Sequence, residues 1–493
     1  MLRQLLAHSS VYTAGSALVT LAGLISFPIF TRLFKVEEYG LMGLISASLL
    51  LLVGIAKLGV QHSIVRFYGE ILVGKREATP AAFYSTVLAG QAGTGIAASI
   101  LCAALSLLVP AGWWSDSRVK GLLLLTAILV FIRATDSAMV NILRAQERSA
   151  AFNVYAVIKR YASLAAVLIV IFYLLPGLNG FYSGTILVEA VAACSLFLYL
   201  RGACRFSLSA FSPPLYRAML AFGIPMIGYE LGGIILAVGD RFVIQNLLGG
   251  EALGLYAAAY NLCEYVQTIL LASVGQAIVP MYVRLWEQKG EGEMRRFVEA
   301  ALHYYVMLGA AIVAGLAAVA PELLAVLASE KYLRGAAIIP YVAGGMVLGG
   351  AMSIFGAGIN IHKQTRILMV LVVGCAALNL GLNVLLIPHL GIEGAAVATL
   401  VSYACLAGLT YAVSNRLLPI ALPWAAIVKF MLLALLMYWV VKQVAFATAW
   451  LTLAARVLIG ATSYAVLVLL FDRLTRGAAK EFLQRVLPRS NAG

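Results

Sequence analysis

Residues 367–388 read ILMVLVVGCAALNLGLNVLLIP, an apolar run without a charged side chain. A run of about twenty such residues crosses about 30 Å of hydrocarbon as a helix. Fourteen runs of this kind occupy the chain, which is 62% hydrophobic and 11% charged. Because the runs are continuous and helices satisfy their own backbone hydrogen bonds, the sequence predicts an all-α integral membrane protein with fourteen transmembrane helices. The predicted spans are residues 9–34, 39–62, 82–110, 120–143, 152–175, 178–200, 218–240, 252–279, 299–327, 336–361, 367–388, 391–414, 424–446 and 449–471.

Basic residues in the connections predict the orientation. Most of them lie on the side that carries both termini, which the positive-inside rule assigns to the cytoplasm. The net charge of +14 follows from the same asymmetry, so it does not indicate a nucleic-acid partner. The run from Ser9 to Phe34 is too long for a secretory leader and is interpreted as the first span. The residues assigned to the cytoplasmic side include Arg66, Lys75, Arg76, Arg144, Arg148, Lys159, Arg160, Arg201, Arg205 and Arg217.

Residue spacing gives no sign of a metal or cofactor site. The cysteines do not occur in pairs at metal-ligand spacing, and the histidines are scattered along the chain without nearby residues that would complete a metal or catalytic site. We therefore predict no metal, no cofactor and no disulfide framework. The residues concerned are Cys102, Cys194, Cys204, Cys263, Cys375, Cys405, His8, His62, His303, His362 and His389.

The chain carries a weak internal repeat. Leu33, Gly40 and Gly177 recur at one constant offset as Leu247, Gly254 and Gly391. Six predicted spans separate the copies, so both copies point the same way through the membrane. Parallel repeats are typical of transporters that bind substrate between the halves. The alternative is coincidence, because the chain holds 45 glycines.

This repeat predicts two six-helix lobes, residues 1–200 and 218–416. Residues 201–217 would form a cytoplasmic linker, since Pro213 and Pro214 interrupt helices there. Residues 417–493 would add two spans and a basic tail. The tail is either a helix on the inner leaflet or a frayed end, and its basic residues are Arg473, Arg476, Lys480, Arg485 and Arg489.

Charged residues inside the spans are the candidate functional residues, because each costs a few kcal/mol unless it meets a partner or a polar cavity. Arg133 and Asp136 are spaced to neutralise each other on one helix; alternatively, Arg133 contacts an anionic substrate. Lys57 has no acid at helical spacing in its own span. It either pairs with an acid of another helix or faces a cavity for an anion. The full set is Lys57, Arg133, Asp136, Glu189, Glu230, Glu264, Asp240 and Arg241.

The acids of the second repeat are candidates for ion coupling or gating. Pro225 precedes Glu230, and glycines flank it. Such residues allow a membrane helix to bend, and a bending helix with a buried acid can gate transport as protons or sodium ions bind. Close helix packing is the alternative use of the glycines. We assign Glu230, Asp240 and Glu264 to this role. A simpler alternative for Asp240 is an interfacial pair with Arg241. For Glu189, in the first repeat, the simpler alternative is a hydrogen bond to a polar group of another helix.

Two segments resemble the lipid-linked oligosaccharide flippases of the multidrug/oligosaccharidyl-lipid/polysaccharide exporter superfamily. The first contains residues 31–34 (TRLF) and 38–40 (EYG), then Gly59 and Arg66. The second contains residues 239–243 (GDRFV), 248–249 (LG) and 254–256 (GLY). The resemblance extends over nearly the whole chain in span number and layout, although its motifs are short.

The resemblance implies a function and a shape. Such flippases move polyprenyl-pyrophosphate-linked saccharides across the bacterial plasma membrane for O-antigen, lipopolysaccharide or exopolysaccharide synthesis, with membrane lipids and a polymerase or other assembly proteins as partners. Two lobes form a V around a central cavity and alternate in access. The headgroup contacts would be Arg32, Arg66 and Arg241 from the resembling segments, together with Lys57 and Arg133, which we infer from burial.

Three other functions compete. A lipid II flippase of the same superfamily would have more arginine in its first span than this chain has. A cation-coupled multidrug antiporter would need acidic residues in the first lobe, yet Ser9 to Phe34 contains none. A membrane glycosyltransferase or polymerase would need larger outer loops than those near Ala111 to Lys120 and Ser329 to Gly335. We therefore predict a transporter rather than an enzyme.

Overall fold

The structure, a computed structural model, describes residues 2–108, 116–203 and 206–477. Every regular element in these ranges is helical, which confirms the all-α prediction. Thirteen of the described helical segments are long and apolar enough to cross a membrane. The helices are α1 (Leu2–Leu33), α2 (Val36–Ala56), α3 (Val60–Leu72), α4 (Pro80–Leu108), α5 (Arg118–Ala145), α6 (Ser149–Tyr173), α7 (Gly177–Ala203), α8 (Pro213–Gln267), α9 (Ser273–Lys289), α10 (Glu291–Leu327), α11 (Ile339–Gly350), α12 (Met352–Phe355), α13 (Ala357–Ile361), α14 (Thr365–Leu390), α15 (Ile392–Leu417), α16 (Trp424–Lys442) and α17 (Ala449–Phe471).

Parts of four predicted segments lie outside the described residues. These are the basic tail beyond residue 477, residues 204–205 of the linker, residues 109–110 of the predicted span 82–110, and residues 111–115 of the outer connection that follows it. The rest of the linker is held by α4. The backbone N–H of Ser207 donates to Ser85 Oγ at 3.0 Å, and that of Ser212 donates to Thr86 Oγ1 at 2.9 Å.

The second predicted span is divided. We expected one helix over residues 39–62, but α2 ends at Ala56 and α3 begins at Val60. Leu58 and Gly59 between them have φ values of 47° and 72°. A Cβ on Gly59 would lie 2.1 Å from the carbonyl oxygen of Gly223 in α8. The break therefore depends on a tertiary contact that only glycine permits.

The helix α8 combines two predicted spans. It has 55 residues and one non-helical residue, Gly249, with φ 82° and ψ −177°. At 1.5 Å per residue it would measure about 80 Å if straight, far more than one hydrocarbon core. The sequence divides this stretch into residues 218–240 and 252–279, and this difference accounts for thirteen candidate spans rather than fourteen.

The chain forms two compact units. The first contains Met1–Asn261 and Gln364–Leu406, and the second contains Leu262–Lys363 and Ala407–Gly493. These units group the helices differently from the predicted lobes, residues 1–200 and 218–416, which stay a prediction. Within the first unit, repeated glycines meet: a Cβ on Gly40 would lie 2.3 Å from the Gly250 carbonyl oxygen and 2.7 Å from the Gly254 nitrogen.

Polar contacts tie the last two helices to α10 in the second unit. Arg456 of α17 donates to the carbonyl oxygens of Ala318 at 3.1 Å and Val444 at 2.9 Å. It also forms an ion pair with Glu322 at 2.8 Å. Because a buried guanidinium is costly unless it is paired, these contacts fix α17 against α10.

A second polar junction lies at the other end of α17. Asp472 is 2% exposed and accepts hydrogen bonds from Lys429 Nζ at 2.5 Å and from the backbone and hydroxyl of Thr475 at 2.9 and 2.7 Å. His303 Nε2 lies 3.1 Å from its carboxylate. Burial opposes ionisation, but these hydrogen bonds outweigh it and hold the pKa of Asp472 well below the usual carboxyl value.

Candidate functional site

Arg133 is paired with a carboxylate from another helix. Its Nε donates to Glu189 Oε2 at 2.9 Å and its Nη2 donates to Glu189 Oε1 at 2.8 Å. The two side chains, from α5 and α7, are 33% and 10% exposed. The expected pairing of Arg133 with Asp136 is therefore wrong, because Glu189 offers a two-pronged contact that suits a planar guanidinium. Glu189 thus bonds a polar group of another helix, as the simpler alternative to a direct transport role predicted.

Asp136 has partners on α6 instead. Lys159 Nζ donates to Asp136 Oδ2 at 2.7 Å, and the Tyr155 hydroxyl hydrogen-bonds the same carboxylate. This pair was not predicted, because Lys159 is one of the basic residues assigned to the cytoplasmic side. Its position within residues 152–175, a predicted span, was the available signal. Two ion pairs thus join α5 to α6 and to α7.

Lys57 and Glu230 are brought together by the structure. Lys57, at the end of α2, places Nζ 3.6 Å from Glu230 Oε1 on α8, and the side chains are 21% and 22% exposed. His62 Nε2 lies 3.1 Å from Glu230 Oε2, and Gln61 Nε2 donates to the same oxygen. The acid that Lys57 lacked in its own span therefore comes from α8, while Gln61 and His62 were not predicted.

The glycines near Glu230 serve packing. A Cβ on Gly228 would lie 2.9 Å from Met369 Sδ, and one on Gly232 would lie 3.1 Å from side chains of α14. The one non-helical residue inside α8 is Gly249, well beyond Pro225. Close packing therefore accounts for these two glycines, and a bend next to Glu230 stays a prediction.

Asp240 and Arg241 are adjacent in sequence and both are buried, and their pairing at the membrane interface stays a prediction. Asp240 is 1% exposed and Arg241 is 7% exposed. The Tyr256 hydroxyl donates to Asp240 Oδ2, and the Thr399 side chain and the Arg241 backbone N–H also face this carboxylate. The Arg241 guanidinium lies 4.9 Å from the Tyr260 ring centre.

The other predicted residues lie in exposed positions. Arg32 Nη1 donates to the Pro28 carbonyl at 3.1 Å. Arg66 contacts Glu70 at 2.9 Å, and its guanidinium lies 4.6 Å from the Phe222 ring centre. Hydrogen bonds from Arg76, and to a lesser extent from Arg66, lower the pKa of Glu70. The Glu70 carboxylate therefore stays ionised beside Arg66. Glu264 is exposed and belongs to the second unit.

Each unit carries an apolar groove. The groove of the first unit lies between α6 and α7 and has a volume of about 600 Å³. The groove of the second unit is lined by α10, α11 and α16 and has a volume of about 670 Å³. Within the described ranges, no group of three or more His, Cys, Asp or Glu side chains is arranged to hold a metal ion.

Comparison with known proteins identifies the family. Residues 29–337, more than half of the chain, match the family described as polysaccharide biosynthesis protein. The chain belongs to this family. Membership in the polysaccharide biosynthesis protein family confirms the resemblance drawn from the GDRFV and TRLF segments. An uncharacterized membrane protein of Methanocaldococcus jannaschii is 29% identical over 195 residues, which cover 39% of this chain and 38% of that protein.

Solved structures share the fold of this family member. The lipid II flippase MurJ in an inward closed conformation has a TM-score of 0.78 at 16% identity, covering 94% of this chain and 98% of that chain. An inward-facing multidrug resistance MATE family transporter of the MOP superfamily has a TM-score of 0.65 at 14% identity, covering 83% and 94%. A MOP superfamily transporter from Pyrococcus furiosus has a TM-score of 0.60 at 15% identity, with the same coverage.

The family and the fold establish the general class. The protein is a multi-pass membrane protein of the polysaccharide biosynthesis protein family, and it shares its fold with a solved flippase and a solved transporter. The prediction of a membrane location is confirmed.

Proposed function

We propose that the protein flips a polyprenyl-pyrophosphate-linked oligosaccharide across the bacterial plasma membrane by alternating access. The product would supply synthesis of a surface polysaccharide such as O-antigen or exopolysaccharide. The Lys57–Glu230 contact is the observation that carries this proposal. It places a cation, partly exposed, at the end of a membrane helix, where a pyrophosphate can replace the carboxylate as its partner.

The geometry of this contact suits exchange. Its separation of 3.6 Å is longer than the 2.8 Å of Arg133–Glu189 and the 2.7 Å of Lys159–Asp136. A longer, partly exposed ion pair is weaker, so an incoming dianion displaces Glu230 at low cost. Lys57 is therefore the first-ranked substrate contact. Arg133 ranks below it because Glu189 already satisfies two of its donors, and Arg32, Arg66 and Arg241 stay proposed contacts.

Glu230 links substrate binding to gating in this proposal. Lys57, Gln61 and His62 hold the first half of α8 against α2 and α3 through this one carboxylate. Protonation of Glu230 would release Lys57 and weaken that attachment. Asp240, a carboxylate buried in the first unit, is the proposed site for the coupling ion, either a proton or sodium. Glu264 keeps the same proposed role.

We also propose fourteen crossings with both termini in the cytoplasm. The length of α8 and its break at Gly249 support two crossings by this helix. The basic connections support the orientation.

Complementation tests the function. In a strain deleted for the gene, lipid-linked saccharide should accumulate on the inner leaflet, and the intact gene should restore surface glycan. We expect Lys57→Ala and Glu230→Gln to abolish most restoration while inserting normally, whereas Lys57→Arg, which keeps the charge, should retain it. Full restoration by Lys57→Ala would refute the assignment of Lys57.

Lipid II is the second candidate substrate, because the fold similarity to the lipid II flippase covers 94% of the chain. Rescue of cells depleted of their own lipid II flippase would favour it. Rescue of surface glycan alone would favour the oligosaccharide.

A further inference from the structure

The groove of the first unit has the surface of a lipid-contacting site. Its walls are formed by α6 and α7, and Leu143 of α5 lines it. Val154, Ile158 and Val191 on these walls are 57%, 62% and 61% exposed. Aliphatic side chains exposed on a membrane helix are expected to contact lipid chains, so the groove opens toward lipid.

The length of this groove matches one leaflet. Its lining on α7 extends from Leu187 to Tyr199. At 1.5 Å per residue this distance is about 18 Å, close to half of a hydrocarbon core of about 30 Å. An acyl chain of a single leaflet therefore fits along it. Lys159 also lines the groove, but its charge is paired with Asp136, so the chain would not meet an unpaired ammonium.

Two arginines stand at one end of the groove. Arg148 Nη1 donates to the Tyr199 hydroxyl at 3.4 Å, and its guanidinium lies 5.8 Å from the Tyr199 ring centre. Arg144 lies 4.6 Å from the ring centre of Phe152. Tyr199 is 51% exposed, as is usual for a tyrosine at the membrane interface. This end, where α6 begins and α7 ends, is thus cationic and aromatic.

We propose that this groove binds an acyl chain of an anionic phospholipid whose phosphate contacts Arg148 and Arg144. The charge complementarity at one end and the length of one leaflet favour such a lipid over a neutral one. This site is separate from Lys57 and Glu230, so it does not depend on the transported substrate.

Native mass spectrometry of the purified full-length protein tests the site. Dioleoyl phosphatidylglycerol and dioleoyl phosphatidylcholine are titrated separately, and the fraction of protein that carries one bound lipid is measured at each concentration. We expect tighter binding of phosphatidylglycerol, with a loss of about fivefold for each of Arg144→Gln and Arg148→Gln. Ala192→Trp, which fills the groove, should remove the first bound lipid. Ala314→Trp, in the groove of the second unit, is the matched control and should leave it bound.

Several results would overturn the proposal. Equal binding of the two lipids would do so, as would unchanged phosphatidylglycerol binding in both arginine variants. Displacement of phosphatidylglycerol by undecaprenyl phosphate would assign the groove to the substrate tail instead. Because the arginines are exposed, their variants should fold even if Ala192→Trp does not.

Discussion

The ion pair between Arg133 and Glu189 gives a prediction that separates a structural role from a substrate contact. Glu189 is 10% exposed and Arg133 is 33% exposed, and two of the hydrogen bonds between them are 2.8 and 2.9 Å long. Removing one partner of a buried pair costs about 3–5 kcal/mol, because the other charge stays buried without compensation. Partial exposure of Arg133 places the expected cost of Arg133→Ala at the lower end, about 3 kcal/mol.

The assay is thermal unfolding of the purified protein. At about 2 °C per kcal/mol for a large domain, Arg133→Ala should lower the melting temperature by about 6 °C. The double variant Arg133→Met with Glu189→Leu should recover most of this loss, since well-packed apolar residues often replace a buried ion pair without penalty. An unchanged melting temperature in Arg133→Ala would show that the ion pair is absent from the folded protein in solution.

The same double variant then tests transport. If Arg133 only holds α5 to α7, the stable double variant should restore surface glycan in the deletion strain. If Arg133 contacts substrate, the double variant should be stable and inactive. Low stability together with inactivity would contradict the expected compensation.

Two further perturbations test the packing and the polar junction. Gly40→Ala should sharply reduce the amount of folded protein in membranes, because its Cβ would lie 2.3 Å from the Gly250 carbonyl oxygen. Gly121→Ala is the control and should not reduce it, since a Cβ there meets nothing within 4 Å. Immunoblotting of membranes measures both variants, and equal protein levels would contradict the close approach at Gly40. Asp472→Asn should lower the melting temperature at pH 7 by several degrees, since the hydrogen bonds to an ionised carboxylate are lost. Because the pKa of Asp472 is lowered in the folded state, this contribution should be full above about pH 4 and disappear as the pH falls further. A difference between wild type and Asp472→Asn that persists unchanged at pH 2 would contradict this assignment.

Hydropathy predicted the helices well because a membrane span is decided locally. Residues 367–388, 391–414 and 449–471 correspond to α14, α15 and α17 within a few residues. The break between α2 and α3 could not be predicted in this way. It depends on the approach of Gly59 to Gly223, far away in sequence, and an isolated glycine in an apolar run gives no sign of that contact.

The charged residues were found by composition, but their partners were not. Spacing along one helix suggested Asp136 for Arg133, whereas the neighbouring helix supplied Glu189. Lys57 and Glu230 are far apart in sequence, so the contact between them depends on how α2 packs against α8. The Asp472 junction was missed for the same reason, since Lys429 and His303 come from two other helices.

The attachment of the linker to α4 couples the start of α8 to that helix. The backbone N–H groups of Ser207 and Ser212 donate to the hydroxyls of Ser85 and Thr86, so the chain just before α8 is held to α4. The first turn of α8 and the start of α4 would therefore move together unless both hydrogen bonds break.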